Sequence, residues 1–407
     1  MQEPVEPLPW EGVRNATEEG FSCLSVDPIF QSIDGDEDCL TLDVFTPKPP
    51  SEVEGSPLPV MVWIHGGAFH RGSGGTLTYG PEYFMMAENV ILVIVNYRVN
   101  VFGFLSLQNE EVPGNAGLKD QIMALRWVKA NIGPFGGDPE RVTIFGESAG
   151  GASVHYLLLA RDAKGLFQRA IVQSGTVLSP WASTDATVSS AVKLGKVFGC
   201  GTEDPKELVE CLRKVDAEEL LKYQYNVAAP SAPTSLKIFL PCVEPAVSKN
   251  PILTRDPRKA LEEGPVTDVP LMIGTTEMEM LLLYKIAGGI ISDRIVEAVY
   301  SAANKNPTLL LGFGATDLEP RQRKKLAKRM KEFYFGDSLI SEKTIVNLVN
   351  ATTDFNFLLG THDAIGYHLR HGMSSIYQYY FTIDTDFGKI KKLLGVPVKG
   401  LNVNFNY

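Results

Sequence analysis

RVTIFGESAGGASVHYLLLA, residues Arg141 to Ala160, is the stretch on which the reading of the whole chain turns. Val142 to Phe145 has the composition of a short buried strand, and Ala149 to Leu159 that of an apolar helix. Between them stands Gly146-Glu147-Ser148-Ala149-Gly150, a G-x-S-x-G turn. A serine at the tip of so sharp a strand-to-helix turn sits in strained backbone, so the residues two before and two after it must lack bulk. Ser148 is then held clear of the sheet at a helix N-terminus. There, free N–H groups and the helix dipole favour the negative charge that develops during acyl transfer. Five residues alone arise by chance in a chain with 37 glycines; the flanking strand and helix give the pattern its meaning.

Working outward, Val60 to Ile64 (VMVWI) is wholly apolar, as expected of a strand buried on both faces, and runs into His65-Gly66-Gly67-Ala68-Phe69. Two glycines after a central strand let backbone N–H groups approach an oxyanion with no Cβ in the way. Gly66 and Gly67 are therefore expected to complement the N–H of Ala149 as an oxyanion hole. Further strands are expected at Leu40 to Phe45, Val90 to Asn96, Ala170 to Gln173, Val269 to Ile273 and Ser375 to Phe381. Helical stripes are expected from Leu118 through Ile132 and from Thr202 to Leu221. Strands alternating with helices imply parallel pairing, with ligands at the carboxyl ends of the strands, where Ser148 and the glycine pair both lie.

At 407 residues the chain is long enough for two or three domains, yet no linker of domain-boundary length interrupts it, so one domain over residues 1–407 is expected. A net charge of −10 argues against nucleic acid as a general partner. No apolar run reaches bilayer length, and no basic start followed by an apolar run marks a signal peptide. Oligomeric state is left open. Arg321 to Lys331 holds seven basic residues with Leu326, Met330 and Phe333 as an apolar line through them, which reads as a solvated helix face. His362, His368 and His371 fall on an expected helix without a thiolate or carboxylate cluster, so no metal is expected.

The five cysteines allow two small loops, Cys23 with Cys39 and Cys200 with Cys211, leaving Cys242 over; five reduced thiols are the alternative, since spacing does not give pairing. The N-x-T sequons at Asn15 and Asn350 are candidate glycosylation sites and lean towards an oxidising compartment.

DGDEDCLTLDVFTP, VMVWIHGGAFHRGSG, VNYRVNVFGFLSL, the long run from Pro113 through Tyr156, AIVQSGTVLSPWA and IYQYYF resemble the type-B carboxylesterase and cholinesterase family, in its insect branch. The resemblance implies the α/β-hydrolase fold, a mostly parallel central sheet flanked by helices, with helical excursions capping the site. It implies hydrolysis of carboxylic esters through an acyl-enzyme, with a small-molecule ester as partner and no cofactor. Ser148 would be the nucleophile, Glu279 the acid, Gly66, Gly67 and Ala149 the oxyanion hole, and Trp181 a residue lining the acyl pocket. Cys23–Cys39 and Cys200–Cys211 match family disulfides, and family members are often secreted glycoproteins, although a cytoplasmic location stays open. Juvenile hormone esterases usually carry Gln where this chain has Glu147, which argues against that specialised role. The family's catalytic histidine follows the last strand in a glycine-x-x-histidine context. Here Gly395 to Tyr407 contains none. The chain also starts late relative to the family, so it reads as incomplete at both ends. A non-catalytic binder or adhesion-type relative using the same pocket is the alternative.

Overall fold

The computed structural model describes residues 2–26, 32–52, 55–202, 204–224, 238–281, 293–311, 318–373 and 375–383. Seven strands form one sheet: β1 (Leu42–Phe45), β2 (Leu58–Ile64), β3 (Ile91–Val95), β4 (Gly137–Glu147), β5 (Arg169–Gln173), β6 (Leu271–Thr276) and β7 (Ile376–Phe381). Their order is β1-β3-β2-β4-β5-β6-β7. Only β1 runs antiparallel to its neighbour; every other pair is parallel.

The all-apolar strands follow from this placement. Strand side chains alternate between faces, and a parallel sheet clothed by helices buries both. Val62, Ile64, Val93, Val95 and Ile144 pack into the main core on one face. Trp63, Leu92, Ile94 and Phe145 pack into a second cluster on the other. Register then lines up the strand ends. Ile64 pairs with Gly146, Glu147 with Gln173, Gln173 with Gly274, and Gly274 with Tyr379. The loops after β2, β4, β5 and β6 therefore meet at the carboxyl end of the sheet.

Helices α1 (Ala116–Asn131) and α2 (Ala149–Leu159) lie where their apolar patterns place them. All eleven residues of α2 are buried, which accounts for its lack of a polar face. The single helix expected from Thr202 to Leu221 is instead two, α3 (Pro205–Leu212) and α4 (Ala217–Tyr223). Asp204 and Asp216 each cap one of them by accepting two backbone N–H bonds, so the second aspartate starts a new helix rather than continuing the first. Strand β6 runs to Thr276, past the expected end at Ile273. A helical block completes the fold, including α5 (Pro320–Phe335), α6 (Ile345–Thr353) and α7 (Leu359–Arg370). On α5 the apolar line differs from expectation: Ala327 and Phe335 are buried and Leu326, Met330 and Tyr334 pack beneath, whereas Phe333 is 81% exposed.

The disulfides Cys23–Cys39 and Cys200–Cys211 form, with Cα–Cα separations of 4.8 and 6.0 Å, and Cys242 is a buried free thiol. Burial pushes that thiol up to about 12, which keeps it protonated and inert. Among the described residues no helix is long and apolar enough to cross a membrane.

Candidate active site

Ser148 joins β4 to α2 with φ 57° and ψ −119°, a conformation that L-residues avoid at a cost of about 1–3 kcal/mol. The surrounding glycines explain how the turn is accommodated. A Cβ on Gly146 would stand 2.6 Å from the Ile64 carbonyl oxygen, and one on Gly150 only 2.0 Å from the same atom. Both glycines let α2 press against the end of β2. Ser148 N–H donates to the Gln173 carbonyl at 2.9 Å, which pins the elbow to β5.

The glycine loop after β2 lies directly on this elbow. A Cβ on Gly66 would fall 3.2 Å from Ser148 Cβ and 2.9 Å from a Glu147 carboxyl oxygen. Gly67 takes φ 113°, and its carbonyl accepts from the N–H groups of His70 and Arg71 at 3.0 and 3.2 Å. The Gly66 N–H donates to the buried Tyr79 hydroxyl, and the Gly67 N–H makes no backbone hydrogen bond among the described residues. That of Ala149 is in the first turn of α2, where helix N–H groups lack intrahelical partners. Three backbone donors thus belong to the segments that meet at the serine, and that of Gly66 also bonds to Tyr79.

His65 braces the loop from behind. It is fully buried, its Nδ1 lies 2.8 Å from the Gly66 carbonyl, and its ring stacks on Tyr97 at 4.2 Å. The Tyr97 hydroxyl donates to the His65 carbonyl at 2.8 Å. Burial drives the imidazole down to about 4, so it is neutral and its Nδ1–H donates to Gly66.

Glu279 follows β6, and its Oε1 accepts from Thr276 N–H at 2.7 Å. Ser174, held at φ 54° after β5, also hydrogen bonds to it. Burial nevertheless raises the Glu279 carboxyl above its ordinary range. Glu147 is raised well above that range, first by burial and then by the charge of Glu279. The two carboxyl groups thus lie close enough to interact, and like charges oppose ionising both. Trp181 stands beside the serine turn: a Cβ on Gly175 would meet both the Ser148 carbonyl at 2.2 Å and the Trp181 ring at 2.8 Å. The indole N–H donates to the Asn356 carbonyl at 3.1 Å, and the ring packs on Phe357 beside Met278 and Val349.

Ser148, Gly66, Gly67, Ala149, Glu279 and Trp181 are therefore brought together. Asn15 is exposed on an irregular segment, whereas Asn350 lies within α6 and the hydroxyl of its Thr352 is bonded to the Leu348 carbonyl. No histidine hydrogen bonds to Ser148 or Glu279 among the described residues, which include all six histidines of the chain. His368 instead sits with its Nε2 2.8 Å from His155 Nε2, and His371 Nε2 meets the Glu262 carbonyl at 2.9 Å. The segment Gly395 to Tyr407 lies outside the described residues.

Sequence reasoning missed Ser174, the bracing pair His65 and Tyr97, and the proximity of Glu147 to Glu279. For Ser174 a signal existed, because Ser174-Gly175 ends a buried strand as the elbow does.

The sequence profile described as the carboxylesterase family matches residues 1–402. The chain belongs to that family. Esterase FE4 of Myzus persicae is 37% identical over 94% of this chain and 66% of its own length. A juvenile hormone esterase of Tribolium castaneum is 36% identical over 99% of this chain and 69% of its own length. The chain thus spans about two thirds of the length of these family members. A crystal structure of juvenile hormone esterase from Manduca sexta, with OTFP covalently attached, superposes with a TM-score of 0.83 at 31% identity, over 98% of this chain and 74% of that one. The fold is the family's α/β-hydrolase fold.

Proposed function

We propose that this family member is a serine carboxylic ester hydrolase whose nucleophile is Ser148. The observation that carries the reading is the strained serine at the tip of the β4–α2 elbow, with the Gly66-Gly67 loop and the first turn of α2 set against it. Ser148 Oγ attacks the ester carbonyl, and the N–H groups of Gly66, Gly67 and Ala149 hold the oxyanion. The alcohol then leaves and water hydrolyses the acyl-enzyme. No cofactor has a part in these steps. Trp181, Phe357 and Met278 favour an apolar acyl group, and Glu147 argues against the narrow juvenile hormone role. Two disulfides and the exposed Asn15 sequon support an extracellular setting.

The missing partner is the general base. Glu279 is the acid that would orient a histidine, and no histidine stands between it and Ser148. Loss of the base from such a triad costs on the order of 10⁶ in rate, about 8 kcal/mol. The chain in hand is therefore expected to turn over esters slowly. A ligand-binding family member that uses the same site without turnover is the second reading.

A nitrophenyl ester and a fluorophosphonate probe separate the two. The first reading expects slow labelling of Ser148, read by peptide mass spectrometry, and weak hydrolysis, both lost in Ser148→Ala. Tight binding of apolar esters with no labelling at all would replace it with the second. Turnover at the level of an ordinary esterase would overturn the inferred lack of a base.

A further inference from the structure

We propose that the outer face of α5 docks this protein on an anionic lipid membrane. Helix α5 holds seven basic residues and one acid, within a chain of net charge −10. Its packing fixes which side faces out. Ala327 is buried and Leu326, Met330 and Tyr334 pack inward, so Arg321, Lys324, Lys325, Lys328 and Arg329 are exposed. Arg321 and Arg329 are eight residues apart, about 12 Å along the axis, so five cations share one short, rigid strip. Among the described residues Arg321, Lys324, Lys325 and Arg329 form no ion pair, and Lys328 has only the exposed Glu332 at 3.6 Å. An exposed pair of that kind neutralises little.

Charge alone would suit any polyanion. The choice of a membrane comes from the apolar side chains beside the strip. Phe333 is 81% exposed at the end of α5, and Leu339, just beyond it, is 67% exposed. A linear polyanion gives these side chains nothing to enter. At a bilayer interface an aromatic ring and a leucine reach the acyl boundary while the cations remain among the head groups. Each cation near an anionic leaflet contributes about a fivefold gain in binding, so the strip suffices for measurable but salt-sensitive attachment.

The test is cosedimentation of the full chain with sucrose-loaded vesicles of phosphatidylcholine, with and without phosphatidylserine, at about 0.1 M salt, where charges act over about 10 Å. Binding is expected only to the anionic vesicles and should be lost near 1 M salt. Lys324→Glu/Lys325→Glu/Lys328→Glu is expected to weaken it by roughly 100-fold or more. Phe333→Ser should weaken it several-fold. Lys206→Glu/Lys214→Glu/Lys259→Glu, the same charge change elsewhere on the surface, should leave most binding intact. Thermal melts check that each variant is folded. No binding to anionic vesicles, equal binding to neutral ones, or equal loss in the two triple variants overturns the proposal. Retention on heparin without vesicle binding also overturns it, assigning the strip to a linear polyanion. None of these readouts depends on ester hydrolysis.

Discussion

Replacing Asp120 by Asn tests whether the segment after β3 is held to α1 by a buried ion pair. Arg98, three residues past β3, meets Asp120 of α1 through three donors: its backbone N–H at 3.0 Å, Nε at 2.8 Å and Nη2 at 2.6 Å. The Asp120 side chain is 1% exposed and that of Arg98 is 15% exposed. Asparagine keeps the shape but not the charge. Its NH₂ group must face an Arg98 N–H, donor against donor, and the guanidinium is left nearly buried without a counter-charge. A charge-assisted bond contributes about 1.5–3 kcal/mol. Removing one partner of a buried pair costs about 3–5 kcal/mol in all, because the remaining charge stays desolvated. We therefore expect Asp120→Asn to lower unfolding stability by about 3–5 kcal/mol, read from urea transitions approached from both directions with the m-value unchanged. Arg98→Met/Asp120→Leu, which removes both charges, should recover most of the loss. A cost below about 1 kcal/mol for Asp120→Asn, or a double variant no better than the single, would show that the pair is not what fixes this corner.

Gly150→Ala should cost at least about 3 kcal/mol in the same assay, because its Cβ would lie 2.0 Å from the Ile64 carbonyl oxygen in a region with no space to yield; near-neutral behaviour would mean that α2 is free to shift. Cys200→Ser/Cys211→Ser should lose about 3 kcal/mol, from a closed loop with a sequence separation of 11, and the loss should be matched by reducing the wild type. Burial lowers the buried His368 to about 4, below its unfolded value of 6.5. The unfolded chain therefore binds the proton first, and stability is lost as pH falls from about 6.5 towards 4, by about 3 kcal/mol in total. Glu147 and Glu279, whose carboxyls are raised, act with the opposite sign in this range, so the difference between wild type and His368→Leu is the quantity to follow. That gap should shrink by about 3 kcal/mol between pH 7 and pH 4, and a gap constant with pH would contradict the assignment.

What the sequence made legible was whatever its chemistry determines locally. An apolar strand, two glycines around a serine and a wholly apolar helix specify the elbow, because only a buried parallel sheet accepts such strands and only glycine fits beside the Ile64 carbonyl. Boundaries failed where a distant part of the chain decides them. Gly274-Thr275-Thr276 has the composition of a turn, yet Gly274 lies within β6, where its missing side chain admits the Tyr379 carbonyl from more than a hundred residues away. Phe333 failed for the opposite reason: helical spacing gives a stripe but not its direction, and the buried line of α5 is set by what packs beneath it.

The histidines show the same limit most sharply. Spacing on α7 raised the question of a shared ligand for His368 and His371, but His368 is turned towards His155, 213 positions earlier in the chain, immediately behind the elbow. His155 Nδ1 accepts from Val177 N–H at 3.2 Å, so its proton is on Nε2 and is donated to His368. That orientation ties the elbow helix to α7 and leaves His368 with a lone-pair nitrogen committed to His155. Neither ring is then free to take a proton from Ser148. Three of the four buried histidines (His65, His155 and His368) thus stand as neutral struts around the serine rather than as its base, and the pH dependence predicted for His368→Leu measures the His368 role directly.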